Sequence, residues 1–196
     1  METDVDKAGV RGGSGKARAG LATVGGMTDA RKPAVPAGSE DPTRSAPEQR
    51  GQVVVVTYNH IAAALVAIAD QVGRPTVVLD HRDADASPVG WLAANPLGPD
   101  DALVLCDHDA PDTPLLLRSA LAGETGYVAM TGSRRRAEAV FAELEREGLS
   151  PGALSRLHVP AGLNLGGKAA GEIALSVIAE IVATSYDRPG GPMRND

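Results

Sequence analysis

Residues 53–80 read VVVVTYNHIAAALVAIADQVGRPTVVLD, and this stretch decides the fold. The four consecutive valines at 53–56 are typical of a strand that is buried on both faces. The Ala- and Leu-rich segment from His60 to about Val72 predicts a helix, and Pro75–Asp80 predicts a second strand that ends in an acid. A strand, a helix and another strand in immediate succession indicate a β-α-β unit, and therefore a parallel sheet.

The same alternation continues toward the C-terminus. Further strands are predicted at 102–106, 127–131 and 157–159. Helices are predicted around Trp91, from Asp112 or Thr113 to about Leu121, from Ser133 to Glu147, after Ser150-Pro151, and from Ala170 to about Tyr186. The sequence therefore predicts an α/β fold, a Rossmann-like doubly wound parallel sheet with right-handed crossovers.

The first 50 residues differ in composition from the rest of the chain. They are rich in Gly, Ala, Pro, Ser and charge, and they show neither a strand nor a helix period. Such a segment buries too little apolar surface to offset the entropy of ordering, so 1–50 are predicted to be a disordered tail. The domain is then expected at 51–187, with a frayed tail at 188–196. Met27 is an alternative start of translation.

Composition excludes several classes of function. Residues 1–50 carry 8 basic and 7 acidic side chains, which leaves 11 basic and 18 acidic ones after residue 50. An acidic domain is a poor nucleic-acid binder, because phosphate contacts need a concentrated basic face. Cys106 is the single cysteine, so an internal disulfide and a multi-cysteine metal site are excluded. No apolar run or leader pattern indicates a membrane span or secretion, and we expect a cytoplasmic protein.

Ligands of doubly wound sheets bind at the carboxyl ends of the strands, and the first such end reads Thr57-Tyr58-Asn59-His60-Ile61-Ala62. A dinucleotide fold places G-x-G-x-x-G/A here, and only Ala62 fits that pattern. Asn59 tolerates a left-handed backbone, so the turn itself can survive. Asp80 is placed to bind a ribose hydroxyl, but with both early glycines lost, NAD(P) binding is disfavoured.

The end of the third strand carries Asp107-His108-Asp109, followed by Asp112. Carboxylates and imidazole this close can bind a divalent metal. The alternative is a turn in which aspartates cap the next helix, and we predict this turn rather than a metal site. Cys106 is expected to point into the core, and His81 to lie on a solvated loop.

The end of the fourth strand reads Gly132-Ser133-Arg134-Arg135-Arg136. The positive end of a helix dipole repels cations by about 0.3–1 kcal/mol each, so three arginines in a first helical turn break a local rule. Such a violation indicates an anionic ligand, although ion pairs with helix acids are the alternative. Arg134 and Arg136 flank the apolar stripe of this helix and are expected to border the strand-end cleft, with Arg135 on the opposite, solvated face.

Residues 162–167, GLNLGG, precede the last helix. Three glycines in six residues permit unusual backbone angles and a nest of N–H groups that can bind an anion. The alternative is a plain connecting loop.

Several segments together resemble the C-terminal Rossmann domain of the XdhC/CoxI family of molybdenum-hydroxylase maturation factors. They are YVAMTGSRRR at 127–136, LHVPAGLNLG at 157–166 and EIALSVIAEI at 172–181, with weaker matches at 80–82 and 108–109. The resemblance covers about 53–185. Members usually carry G-A-G-H after the first strand, where this chain has TYNH, and an Asp where this chain has Asn164. The family's cysteine-containing N-terminal domain is replaced here by the tail.

The resemblance implies a factor that binds molybdenum cofactor and assists its sulfuration and insertion into xanthine or carbon monoxide dehydrogenase. It implies a molybdenum hydroxylase and a cysteine desulfurase as partners, a homodimer, and no catalysis by the factor itself. An NAD(P)-dependent oxidoreductase and a protein-interaction domain without ligand are the alternatives. The candidate cofactor-binding residues are Asn59, His60, Asp80, Gly132, Ser133, Arg134, Arg136, Gly162, Asn164 and Gly166.

Deleting residues 1–50 should leave the melting temperature of the domain unchanged, because the tail lacks any apolar period to pack. Limited proteolysis of the full chain should likewise stop at a core that starts near residue 50. A tail-deleted protein that melts much lower than the full chain would contradict this prediction.

Overall fold

The computed structural model describes residues 50–83, 87–107, 109–110 and 112–195, so all but one residue of the predicted tail lie outside it. The strands are β1 (Val53–Val56), β2 (Thr76–Leu79), β3 (Ala102–Leu105), β4 (Tyr127–Met130) and β5 (Leu157–His158). The helices are α1 (His60–Gln71), α2 (Pro88–Ala94), α3 (Thr113–Ala122), α4 (Arg134–Arg146), α5 (Pro151–Leu154) and α6 (Ala170–Ser185), and a 3-10 turn follows at Met193–Asn195.

The five strands form one parallel sheet in the order β2-β1-β3-β4-β5. Val53 pairs with Thr76 on one side and with Ala102 on the other, so β1 lies between β2 and β3. The chain leaves β1 toward one edge of the sheet and then builds β3, β4 and β5 toward the other. This order confirms the predicted doubly wound fold and places the switch point between β1 and β3.

Helices cover both faces of the sheet. Alternate strand residues, such as Val54 and Leu103, pack against one core that includes side chains of α2, α3, α4 and α5. Their neighbours, such as Val53 and Val104, pack against a second core that includes side chains of α1 and α6. Because Val53–Val55 have no exposed surface, polar chemistry on this sheet is confined to the strand ends.

A buried arginine joins the two ends of the domain. Arg74 is only 5% exposed, and its guanidinium donates to the Gly51 carbonyl at 3.3 Å and to Ser185 Oγ at 2.5 Å. Burial lowers the pKa of Arg74, and the nearby Arg50 adds to that effect. Beyond α6, the Arg188 amide donates to the Ala183 carbonyl at 2.9 Å, so the predicted C-terminal tail begins with an anchored residue.

None of the helices in the described part of the chain is long and apolar enough to span a membrane.

Candidate functional site at the carboxyl edge of the sheet

The turn after β1 contains a residue in the left-handed conformation, and that residue is Thr57. Thr57 has φ +71° and is 6% exposed, whereas Asn59 is extended at φ −143°. The expectation that Asn59 supplies the left-handed conformation is therefore wrong. A β-branched residue in this region costs about 1–3 kcal/mol, and it persists only where its surroundings hold it.

Asn59 fills the crevice between β1 and β3. Its Oδ1 accepts from the amides of Ile61 at 2.9 Å and Ala62 at 3.0 Å, and its Nδ2 donates to the Cys106 carbonyl at 2.9 Å. First-turn amides of this kind are the donors that bind phosphate when they are available. Asn59 therefore uses, within the chain, two donors that a pyrophosphate would need, while the adjacent His60 is exposed.

Asp80, the candidate ribose ligand, is engaged by its own chain. Arg82 donates to it from the backbone amide at 3.0 Å and from Nε at 2.8 Å, with a second, shorter contact from Nη2. The Tyr58 amide donates to the same carboxylate at 3.3 Å, and Arg82 Nη2 also donates to the Tyr58 carbonyl at 2.9 Å. The hydrogen bonds from Arg82 hold the pKa of Asp80 well below its usual value.

His81 supports this turn instead of lying on a solvated loop. Its Nδ1 is 3.2 Å from Thr57 Oγ1, and the imidazole side chain is only 25% exposed. The Thr57 hydroxyl, which no glycine could provide, therefore has a contact that helps to hold the strained residue.

The described residues of the loop after β3 are held by hydrogen bonds within the loop and to the start of α3. Cys106 is buried, and burial raises the pKa of its thiol to about 12. Asp107 Oδ1 accepts from the Asp109 amide at 2.9 Å, and its carbonyl accepts from Thr113 Oγ1 at 3.2 Å. The Asp112 side chain makes no capping bond to α3, which corrects one part of the prediction.

No group of three candidate metal ligands occurs among the residues that the structure describes. His108, the middle residue of the Asp-His-Asp sequence, lies outside that part of the chain.

The start of α4 borders a cleft of about 330 Å³. Ser133 caps the helix, and its Oγ accepts from the Arg136 amide at 3.2 Å. The side chains and backbone that line the cleft belong to Asp109, Ser133, Arg135, Arg136 and Ala139. Two arginines and one aspartate therefore border the same small space.

Arg134, which was expected to border this cleft, is not among the lining residues, whereas Arg135 is, although Arg135 is as exposed as predicted and so is Arg134. The difference follows from the flank of α4 on which each arginine lies. At about 100° per residue, Arg135 and Arg136 share one flank of α4 with Ala139, while Arg134 lies on the other flank of the buried stripe. Asp109, from the loop after β3, lines the cleft on the first flank.

The glycine loop 162–167 starts beside the same strand end. The Ala161 amide donates to the Met130 carbonyl at 3.0 Å, which places the loop over the carboxyl end of β4. Gly162 has φ +96°, and a Cβ there would lie 2.3 Å from Ser176 Oγ, so only glycine fits. Farther along, Asn164 and Gly166 are exposed, and Gly166 also has a positive φ of 84°.

A cluster that the sequence analysis missed lies behind this loop, with side chains from β4, β5 and α6. The rings of Tyr127 and His158 stack with their centroids 4.3 Å apart. Glu180 Oε2 accepts from the Tyr127 hydroxyl at 2.5 Å and from the Gly162 amide at 2.9 Å, and Oε1 is 3.2 Å from His158 Nδ1. One signal was available, because Glu180 is an acid within an otherwise apolar helical segment.

The cluster keeps its carboxylate charged and its phenol neutral. Burial alone would raise the pKa of Glu180, but hydrogen bonds from His158 and Tyr127 outweigh burial and leave that pKa lower than usual. Burial, with the neighbouring carboxylate, raises the pKa of Tyr127 far above its usual value. The arrangement is therefore an anchored carboxylate with three donors.

These features define a doubly wound α/β domain whose first strand-end crevice is occupied by its own side chains and whose β4 end offers a cationic cleft. The family described as XdhC Rossmann domain matches residues 53–181, and the chain belongs to this family. The resemblance drawn from the sequence is thereby confirmed.

Two comparisons place the domain among longer proteins. It is 26% identical over 162 residues to the uncharacterized protein YqeB of Escherichia coli K12, an alignment that covers 74% of this chain and 29% of that protein. A crystal structure described as a xanthine dehydrogenase from Bacillus halodurans superposes with a TM-score of 0.59 at 24% identity, over 71% of this chain and 44% of that one. The chain thus spans less than half the length of either protein, and the second likeness supports the fold alone.

Replacing Thr57 and Asn59 together by glycine should raise the affinity for NAD(H) from a wild-type value no tighter than millimolar. The change removes the Thr57 Cβ and releases the amides of Ile61 and Ala62 for a pyrophosphate. Titration calorimetry with NAD(H) on the wild type and on the double variant measures the two affinities. Micromolar binding by the wild type would contradict the interpretation.

The free energy of unfolding should fall as the pH drops below about 5. Asp80 and Glu180 both have folded pKa values below their usual 3.8 and 4.5, so their stabilisation is present above those values and is lost as the pH falls through the lower, folded ones. Urea midpoints between pH 3 and pH 7 measure the slope. Asp80→Asn and Glu180→Gln should each flatten it, and an unchanged slope in both variants would refute the assignment.

Proposed function

We propose that this domain binds the phosphate-bearing pterin of molybdenum cofactor, or a closely related phosphate ligand, as an accessory factor for a molybdenum hydroxylase of the xanthine dehydrogenase class. Membership of the XdhC family supports this proposal. The domain would hold and present the ligand, not transform it.

The observation that carries the proposal is the cleft at the start of α4. The domain after residue 50 is acidic overall, with 11 basic against 18 acidic side chains, yet two arginines line this one small space at the positive end of a helix. Cations at that end are unfavourable for the free protein and favourable once an anion binds. Ser133 caps this helix by accepting from the Arg136 amide, so the amides of Arg134 and Arg135 are the first-turn donors that the helix itself does not use.

The residues fit the phosphate end of such a ligand. A volume of about 330 Å³ is at the small end of the range for ligand sites, enough for a phosphate and part of a ring system. Arg135 and Arg136 would hold the phosphate, and the glycine loop, which begins next to the end of β4, would supply Asn164 and Gly166 for the pterin edge. Asp109 adds one negative charge to the cleft and would weaken the site for a highly charged anion.

The competing function, NAD(P)-dependent oxidoreduction, has less support. The dinucleotide position after β1 is filled by Asn59, and Asp80 is paired with Arg82. Opening that site would require breaking contacts that the chain already makes. The expected partners, a molybdenum hydroxylase and a cysteine desulfurase, and the expected homodimer follow from the family resemblance and are part of this proposal.

Arg135→Ala and Arg136→Ala should each weaken the binding of pyrophosphate and of a pterin phosphate by about tenfold or more, because each removes a charge-assisted contact of about 1.5–3 kcal/mol. Arg134→Ala is the matched control, since it removes the same charge from the same helical turn but outside the cleft. Asp109→Asn should tighten binding. Calorimetry and thermal melting of all four variants give affinity and stability together.

If Arg134→Ala and Arg135→Ala lowered the anion affinity equally, only the overall charge of the helix end would matter, and the assignment of the site to the cleft would be wrong. Destabilised Arg135 and Arg136 variants with unchanged anion affinity would instead assign the cluster to internal ion pairs. Anaerobic purification followed by oxidation and a search for pterin fluorescence tests the identity of the ligand directly. A protein that binds pyrophosphate but carries and accepts no pterin would reduce the proposal to an unspecified phosphate ligand.

A further inference from the structure

Two glutamates of α6 hold the two ends of the glycine loop. At the near end, Glu180 Oε2 accepts from the Gly162 amide at 2.9 Å. At the far end, Glu172 Oε2 accepts from the amides of Lys168 and Ala169, both at 3.0 Å. Hydrogen bonds to two carboxylates of α6 therefore fix the residues before and after the exposed middle of the loop, which includes Asn164 and Gly166.

The contact at the Gly162 end of the loop involves more side chains than the contact at the Lys168 end. Capping by Glu172 uses an exposed carboxylate and backbone amides only. Glu180 is instead largely buried, with its side chain 18% exposed, and it collects donors from β4, β5 and the loop. Burying a charge is costly unless several hydrogen bonds compensate for it, so this anchor depends on all three of its partners being in place.

The cluster also links the loop to the cleft. Tyr127 begins β4, whose last residue, Met130, accepts from the Ala161 amide immediately before Gly162. The same strand leads through Gly132 to Ser133 at the start of α4. Glu180 therefore fixes the loop relative to the strand from which the cationic cleft departs.

We propose that Glu180 is a positioning residue for the ligand site: through Tyr127, His158 and the Gly162 amide, it holds the glycine loop in the conformation that receives the ligand beside the α4 cleft. The assignment of a ligand rests on the proposed function, whereas the anchoring of the loop does not. A rigid, prearranged loop lowers the entropic cost of binding.

Two variants separate positioning from general stabilisation. Glu180→Gln is nearly isosteric, but an amide presents one oxygen and one NH₂ group, so it cannot accept from His158 on one side and from Tyr127 and Gly162 on the other. Tyr127→Phe is the matched control, because it also removes a buried hydrogen bond of the cluster but leaves the ring stack and the Gly162 contact in place. Both variants should lose stability to a similar degree.

Amide hydrogen exchange in the full chain, followed by NMR, should distinguish them. The Gly162 amide should exchange about tenfold or more faster in Glu180→Gln than in Tyr127→Phe, because Gln offers a single uncharged oxygen, a weaker acceptor than the carboxylate that Tyr127→Phe retains. Pyrophosphate affinity should follow the same order. In the wild-type chain, the chemical shift of the Gly162 amide should change with pH in parallel with that of the Glu180 carboxyl carbon. The Gly148 amide bonds to the Glu145 backbone carbonyl, so its chemical shift should not follow that titration.

Equal exchange of Gly162 in the two variants would overturn the proposal, and so would a Gly162 shift that ignores the titration of Glu180. The titration needs no variant and decides the matter if Glu180→Gln does not fold. If the wild type binds neither pyrophosphate nor a pterin phosphate, the proposed function fails while the exchange result still tests the anchor. If the wild type binds and Glu180→Gln binds equally well, the positioning role is refuted.

Discussion

Complete burial of the central strands is the constraint on which the rest of this structure depends. Val53–Val55 have no exposed surface because α1 and α6 cover one face of the sheet while helices α2 to α5 cover the other. Neither face can hold water or a polar ligand. Any chemistry must therefore be built from the turns that follow the strands, and the described polar side chains that make unusual contacts are largely found in or beside those turns.

Two of these strand ends differ in whether the chain's own side chains fill them. At the switch point after β1, Asn59 and Arg82 satisfy the donors and acceptors that a nucleotide would otherwise use, so the site is complete without a ligand. After β4, the chain concentrates positive charge and glycine backbone and leaves a cleft beside them. A strand end of this fold can thus be closed by its own side chains, provided that they satisfy the donors and acceptors that a ligand would otherwise use.

The sequence predicted the sheet well because its strongest signals are local: a run of four valines, an acid at a strand end, and Ser-Pro at a helix start. It predicted the site less well, because side-chain direction depends on neighbours that are distant along the chain. The choice between Arg134 and Arg135 depends on where the β3 loop lies, and the left-handed residue after β1 proved to be Thr57. The Tyr127–His158–Glu180 cluster joins residues 53 positions apart, so no window of sequence contains it.

The Arg74 contacts to Gly51 and Ser185 place the first and last residues of the fold side by side. A domain whose two ends meet can be inserted into a longer polypeptide as a single cassette without disturbing its host, because both connections leave from one point. The alignments fit such modular use, since this domain aligns with 29% of one relative and 44% of another. The contacts of one arginine therefore bring both connections of the domain to one point, which is the geometry that such an insertion needs.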